Sequence, residues 1–212
     1  MEKFLEQLRA ARKENIDGQR YIPRPVIDKL TSRDTISRII REKNLSIRET
    51  DPYFAKSLQE SLRETIHTQA KVAFAISCFA EPKSVHRLPK LISQVRRHEG
   101  GSEVDHRLPF TRNTLREYQF TDDEANTFFQ VQWQFIAPKV RLGALEVDDY
   151  PKEVILPFYR SPAEHETPRA GAFGTVAEIC VEQGHQLEPV YINRVSVLIY
   201  AVAVSTDEST TQ

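Results

Sequence analysis

The chain has 212 residues, 40% apolar and 28% charged, with a net charge of -1. That balance excludes a globally basic nucleic-acid binder, and no apolar run approaches the roughly 20 residues needed to span a bilayer. Two cysteines, Cys78 and Cys180, provide no disulfide framework.

In chain order, residues 2–16 set Phe4, Leu5 and Leu8 on one face among charged neighbours, and Asp17-Gly18 ends the pattern. This predicts a short amphipathic helix. Tyr21-Ile22-Pro23-Arg24-Pro25 cannot continue a helix, because proline disfavours the α region for the residue before it. Asp34 is placed to cap a second helix bearing Ile36, Ile39 and Ile40. A longer one opens at Asp51-Pro52, where Phe54, Leu58, Leu62, Ile66 and Ala70 recur every fourth residue. It runs into Val72-Ala73-Phe74-Ala75-Ile76, apolar on every face and therefore expected to be buried, and closes at Pro82. Pro89 opens a helix carrying Leu91, Ile92 and Val95, and Glu99-Gly100-Gly101-Ser102 breaks the chain.

Thr121 and Glu124 have the spacing of a capping box, in which each side chain satisfies a backbone donor of the other residue. Ala125, Phe128, Phe129, Trp133 and Ile136 follow on one face, predicting a helix to Ala137 with Trp133 as a core anchor. After Pro138 the helical period gives way to short apolar runs at Val140–Leu145, Val154–Leu156, Val176–Val181 and Val195–Val204, expected as strands. Charge shifts in the same region. Residues 153–212 hold three basic and eight acidic residues, and no lysine follows Lys152. The expected organisation is an N-terminal helix and linker over 1–29 and a helical domain over 30–138. Strands follow over 139–204, then a disordered tail over 205–212. The fold class is α+β, with an irregular helical part followed by a small antiparallel sheet.

Gly171-Ala172-Phe173-Gly174-Thr175-Val176 is flanked by strand runs on both sides. Glycines in a strand–turn–strand let backbone amides approach phosphate oxygens with no Cβ in the way. A phenylalanine at the tip excludes water, and a valine on the outgoing strand meets an adenine face. Taken with the segments Ala70–Ile76, Leu108-Pro109-Phe110, Gln132–Pro138, Ile155–Phe158 and Gly184-His185, this stretch resembles a group of fungal protein-kinase-like proteins. In these a helical N-terminal region leads into a kinase glycine-rich loop. The resemblance implies cofactor contacts at Gly171, Ala172, Phe173, Gly174 and Val176, with ATP held weakly. It also implies that the sheet corresponds to the first strands of a kinase N-lobe.

The departures from the kinase pattern are specific. Arg169 stands where the first glycine belongs, and Ser205 follows Val202-Ala203-Val204 where the phosphate-holding lysine belongs. Only 38 residues follow Gly174, too few for a catalytic loop and a magnesium-binding triplet. The chain therefore reads as a truncated, noncatalytic kinase-like protein, a pseudokinase with no catalytic residues. The competing class is a helical protein–protein interaction module with a vestigial loop. No metal is expected, because Gly100-Gly101 separates His98 and Glu99 from Asp105 and His106. Expected partners are a protein bound through the helical part and a weakly held nucleotide, with no nucleic acid and no membrane. The expected location is intracellular, in cytoplasm or nucleus. The two Leu-Pro-Phe tripeptides, 108–110 and 156–158, read as separate corners where proline fixes the chain and Phe110 or Phe158 packs.

Overall fold

The computed structural model describes residues 1–45, 52–81, 84–98, 103–139, 151–160, 169–171, 174–181, 185 and 197–200. The fold is α+β: a helical body followed by a small antiparallel sheet.

Helix α1 (Glu2–Ala10) is shorter than its pattern suggests. The chain turns instead into a hairpin of β1 (Lys13–Glu14) and β2 (Arg20–Tyr21), paired Lys13 to Tyr21 and Glu14 to Arg20. Asn15 organises the turn. Its Oδ1 accepts from the amides of Asp17 at 3.0 Å and Gln19 at 2.8 Å, and its Nδ2 donates to the Leu156 carbonyl at 3.2 Å. A short polar side chain that satisfies local backbone competes with helix continuation, and Gly18 takes the positive φ of 75° that the turn needs. Asp17-Gly18 thus marks a hairpin tip, not a helix end.

The Pro23-Arg24-Pro25 stretch opens a helix. In α2 (Arg24–Leu30), Pro23 is the extended N-cap and Pro25 lies in the first turn, where its missing N–H costs no hydrogen bond. Helix α3 (Arg33–Glu42) buries Ile36, Ile39 and Ile40 as expected, but Ser32 caps it through the Thr35 amide, with Asp34 inside the first turn. The long apolar pattern after Pro52 forms two helices, α4 (Pro52–Gln69) and α5 (Lys71–Ala80), broken at Ala70 with φ -145° and ψ 32°. The expected cap Asp51 and the closing Pro82 lie outside the described residues, as does the Glu99–Ser102 break.

Helix α5 is the axis of the molecule. Every residue from Val72 to Cys78 is buried, and the helix packs against α1, α2, α4, α6 (Leu88–His98) and α8 (Asp122–Gln132). Between α6 and α8 lies the short α7 (Arg112–Glu117), capped by Thr111. The resulting core is continuous from Phe4 to Phe135 and includes Leu5, Leu8, Ile22 and Ile27 from the first 29 residues. The rings of Phe4 and Phe74 lie 5.9 Å apart.

The capping box at α8 is present in both directions. Thr121 Oγ1 accepts from the Glu124 amide, and Glu124 Oε2 accepts from the Thr121 amide at 2.8 Å. The helix ends at Gln132 rather than Ala137, with Trp133 as its C-cap. Gln132 is fully buried and exchanges two 2.9 Å hydrogen bonds with the Phe110 backbone, just past the cis Leu108–Pro109 bond. Phe110 packs on Tyr118 and Phe128, as expected for the first Leu-Pro-Phe corner. Trp133 is buried at 9% exposure but outside the main core. It forms a second cluster with Tyr21 and Ile155.

In the sheet, β3 (Phe158–Arg160), β4 (Arg169–Gly171) and β6 (Val197–Tyr200) all pair antiparallel with β5 (Gly174–Val181). Ile179 pairs with both Arg160 and Val197, and Val176 with both Arg169 and Tyr200. A strand has two edges, so β3 and β4 share one edge of β5 and β6 takes the other. The Val154–Leu156 run is not a strand, because Ile155 is used to cover Trp133. The strand expected at Val140–Leu145, the segment Val202–Val204 and the tail lie outside the described residues.

The sheet meets the helical body at named points. The Ile16 amide donates to the Phe158 carbonyl at 2.8 Å, and Asn15 reaches Leu156. His185, 1% exposed, sets Nδ1 3.1 Å from the Pro138 carbonyl, accepts from the Arg24 amide at Nε2 (3.4 Å), and packs edge-on to Tyr21.

Candidate functional site

Of the glycine-loop residues, Gly171 and Gly174 are the closing pair of the β4–β5 hairpin, directly opposite each other in register. The connection between them is two residues long, the length of the tightest hairpins. Ala172 and Phe173, which form it, lie outside the described residues. Val176 lies on the outgoing strand with Arg169 beside it on one edge and Tyr200 on the other. Arg169 is thus on the incoming strand, and β6 pairs on the edge of β5 opposite β4.

His185, four residues past the end of β5, joins a cavity of about 540 Å³ in the helical body. Its polar lining is rich: Arg24 and Asp28 from α2, His67 from the end of α4, Lys71 from the start of α5, and Asp105 and His106. Most of these groups hold the fold together. Asp105 caps α5 across 33 residues of sequence: its two oxygens accept from the Val72 and Ala73 amides, each at 2.9 Å, where Ala70 supplies no side-chain cap. Burial raises the Asp105 carboxyl above its ordinary value, opposed by those two amides and by Arg24, whose guanidinium lies 3.6 Å away. Asp28 is shared between Arg24 at 3.6 Å and Lys71 at 3.9 Å. Both ring nitrogens of His185 are engaged in the pattern of a neutral imidazole protonated at Nδ1. His67 is held below its ordinary value by desolvation, then by Lys71 and Arg33.

Among the described residues of this cavity no nucleophile is paired with a base. Thr68 donates its hydroxyl to the Glu64 carbonyl, and His106 pairs with Glu103 at 3.2 Å on the exposed side. Cys78 is elsewhere, in the core, where burial pushes its thiol up and away from reactivity. Asp105 is turned to α5 and His106 to Glu103, and among the described residues no group of three or more potential ligands is gathered for a metal. No helix among them is long and apolar enough to cross a membrane.

Sequence reasoning found the hairpin and missed the rest. Asp105 is a cap only because the fold carries it to α5, and no local signal announces that. His185 was legible only as the partner of Gly184. Comparison with family models, with curated proteins and with solved structures finds no match for this chain.

Proposed function

We propose that this chain is a noncatalytic kinase-like protein, in which a helical body carries the opening strands and the glycine loop of a kinase-type nucleotide site. The observation that supports this most is the β4–β5 hairpin. Its two-residue connection is bracketed by Gly171 and Gly174, and β6 lies antiparallel on the far edge of β5. Loop amides of this kind meet phosphate oxygens, and Val176 offers one apolar wall for a base. Phosphoryl transfer needs charge neutralisation and positioning beyond that. The sequence has no lysine after Lys152. Arg169 stands where the first glycine belongs, and a residue with a Cβ allows less close backbone approach than glycine does. Free thiols at Cys78 and Cys180 fit a reducing, intracellular setting.

One observation favours the second reading, a helical protein-interaction module with a vestigial loop. The main core runs from Phe4 to Phe135 through the helices of the body.

Titration calorimetry with ATP and magnesium, with amide NMR of β4 and β5, separates the two. The kinase-like reading expects a dissociation constant no tighter than about millimolar, only about 4 kcal/mol of binding. It also expects loss of the amide shifts in Gly174→Val and no phosphate transfer in a radiolabel assay. An absence of any ATP-dependent shift at β4 and β5 gives the interaction-module reading the field. Transfer activity abolished by Gly174→Val overturns the noncatalytic assignment.

A further inference from the structure

A second cavity, of about 680 Å³, lies between the β1–β2 hairpin, the start of α7, the end of α8 and the segment around Glu153. Arg12, Arg20 and Arg112 line it, against Glu14 and Glu153 as the described residues of opposite charge on its wall. Arg20 approaches Glu14 only at 4.0 Å, with both side chains more than three-fifths exposed. Arg12 and Arg112 have no carboxylate partner among the described residues. Each lies over a phenylalanine instead: Arg12 4.6 Å from the centre of the Phe79 ring, and Arg112 4.1 Å from that of Phe129. A guanidinium laid on a ring keeps its N–H edge free.

Two donors of the lining residues, Arg12 Nε and Trp133 Nε1, are buried with no hydrogen-bond partner among the described residues. Buried donors are nearly always satisfied, and an arriving anion would accept from them. Gln134 Oε1, also buried without a partner, is an acceptor and calls for a proton donor elsewhere on the ligand. Desolvation lowers the Arg12 guanidinium below its ordinary value, as do the like charges of Arg20 and Arg9. The described lining holds three arginines against two glutamates, one net positive charge.

We propose that this cavity is an oxyanion site that takes the phosphate group of a small molecule between the guanidinium forks of Arg12, Arg20 and Arg112. A carboxylate has two oxygens and fills one fork. A tetrahedral dianion has enough oxygens for several forks at once, and its double charge answers the cationic wall. The cavity volume suits a small ligand. The site is separate from the glycine hairpin and does not rest on the kinase-like reading.

Trp133 is the only tryptophan of the chain and lines the cavity, so its fluorescence reports occupancy directly. Titrating the full chain with inorganic phosphate, pyrophosphate, ATP and acetate, with calorimetry alongside, gives the test. Saturable changes are expected with phosphate and pyrophosphate, and far weaker ones with acetate. Arg112→Gln should weaken pyrophosphate binding roughly tenfold or more, a loss of about 1.4 kcal/mol. Arg112→Lys, which keeps the charge and loses the fork, should fall between. Gly174→Val should change nothing here. Arg12→Gln removes a side chain stacked on Phe79, so the exposed Arg112 carries the test and thermal midpoints confirm folding. ATP bound more tightly than pyrophosphate, and sensitive to Arg112→Gln, identifies a nucleoside-borne phosphate. Binding no tighter than pyrophosphate identifies free phosphate or polyphosphate. Absence of saturable phosphate or pyrophosphate binding, or binding unaffected by Arg112→Gln and Arg12→Gln together, overturns the proposal.

Discussion

The helical body and the sheet are built on different logics. In the body, one apolar helix, α5, is wrapped on several sides, and its surroundings are tied by polar groups that close on backbone: Asp105 on the α5 amides, Gln132 on Phe110, Thr121 and Glu124 on each other. The sheet has a single central strand, β5, whose two edges are taken by β3 and β4 on one side and β6 on the other. Its described links to the body are a few hydrogen bonds at Ile16, Asn15 and His185. The comparison teaches that the glycine pair sits on a hairpin of a sheet centred on one strand, while both cavities are walled mainly by the helical body.

The largest effects should come from the body. Phe74→Ala removes a fully buried ring at the centre of α5 and should cost about 3–5 kcal/mol in denaturant unfolding. Trp133→Ala, in the smaller cluster with Tyr21 and Ile155, should fall at the low end, about 3 kcal/mol. A Trp133 emission maximum like that of free indole in water would contradict its burial. If Trp133→Ala proved costlier than Phe74→Ala, the ranking of the two clusters would be reversed.

A middle-sized effect tests the links. His185→Ala removes both ring bonds, to the part-buried Pro138 carbonyl and Arg24 amide, at about 0.5–1.5 kcal/mol for each. Hydrogen exchange should speed up in β3 and β5 well before it changes in α5. Uniform acceleration across α5 and β5 would show that the two regions unfold as one.

The smallest effect is a pH dependence. His67 has its imidazole held below the ordinary 6.5, by burial first and then by Lys71 and Arg33. The unfolded chain regains the ordinary value, so it takes up the proton first as pH falls. The contribution is therefore complete above the ordinary value and is lost as pH drops through the imidazole range. His67→Gln should flatten that part of the stability profile. An unchanged slope in the variant would assign the dependence elsewhere.

Local signals were readable and long-range ones were not. The Thr121–Glu124 box, the buried stretch Val72–Ile76 and the isoleucine face of α3 depend on spacing within a few residues, and they stand as expected. The early end of α1 was hidden because Asn15 acts through a turn and through Leu156, at a separation of 141 residues. The α4–α5 break was hidden because its cap, Asp105, comes from far along the chain. At the hairpin, the glycine pair was legible as a turn. The arginine cavity was not, since Arg12, Arg20 and Arg112 share no motif and meet only in the fold.

The shared edge of β3 and β4 bears on how this chain could be edited. Opposite Arg160 stands Ile179, and opposite Arg169 stands Val176, so along β5 only Glu178 and Ala177 separate the two pairing positions. Two residues would carry an unbroken strand across that distance, whereas residues 161–168 supply eight. The surplus of six is even, and side chains alternate with a period of two, so both segments keep the same facing as one continuous strand would. Any change of length between Arg160 and Arg169 that leaves both pairings in place therefore leaves both facings in place as well.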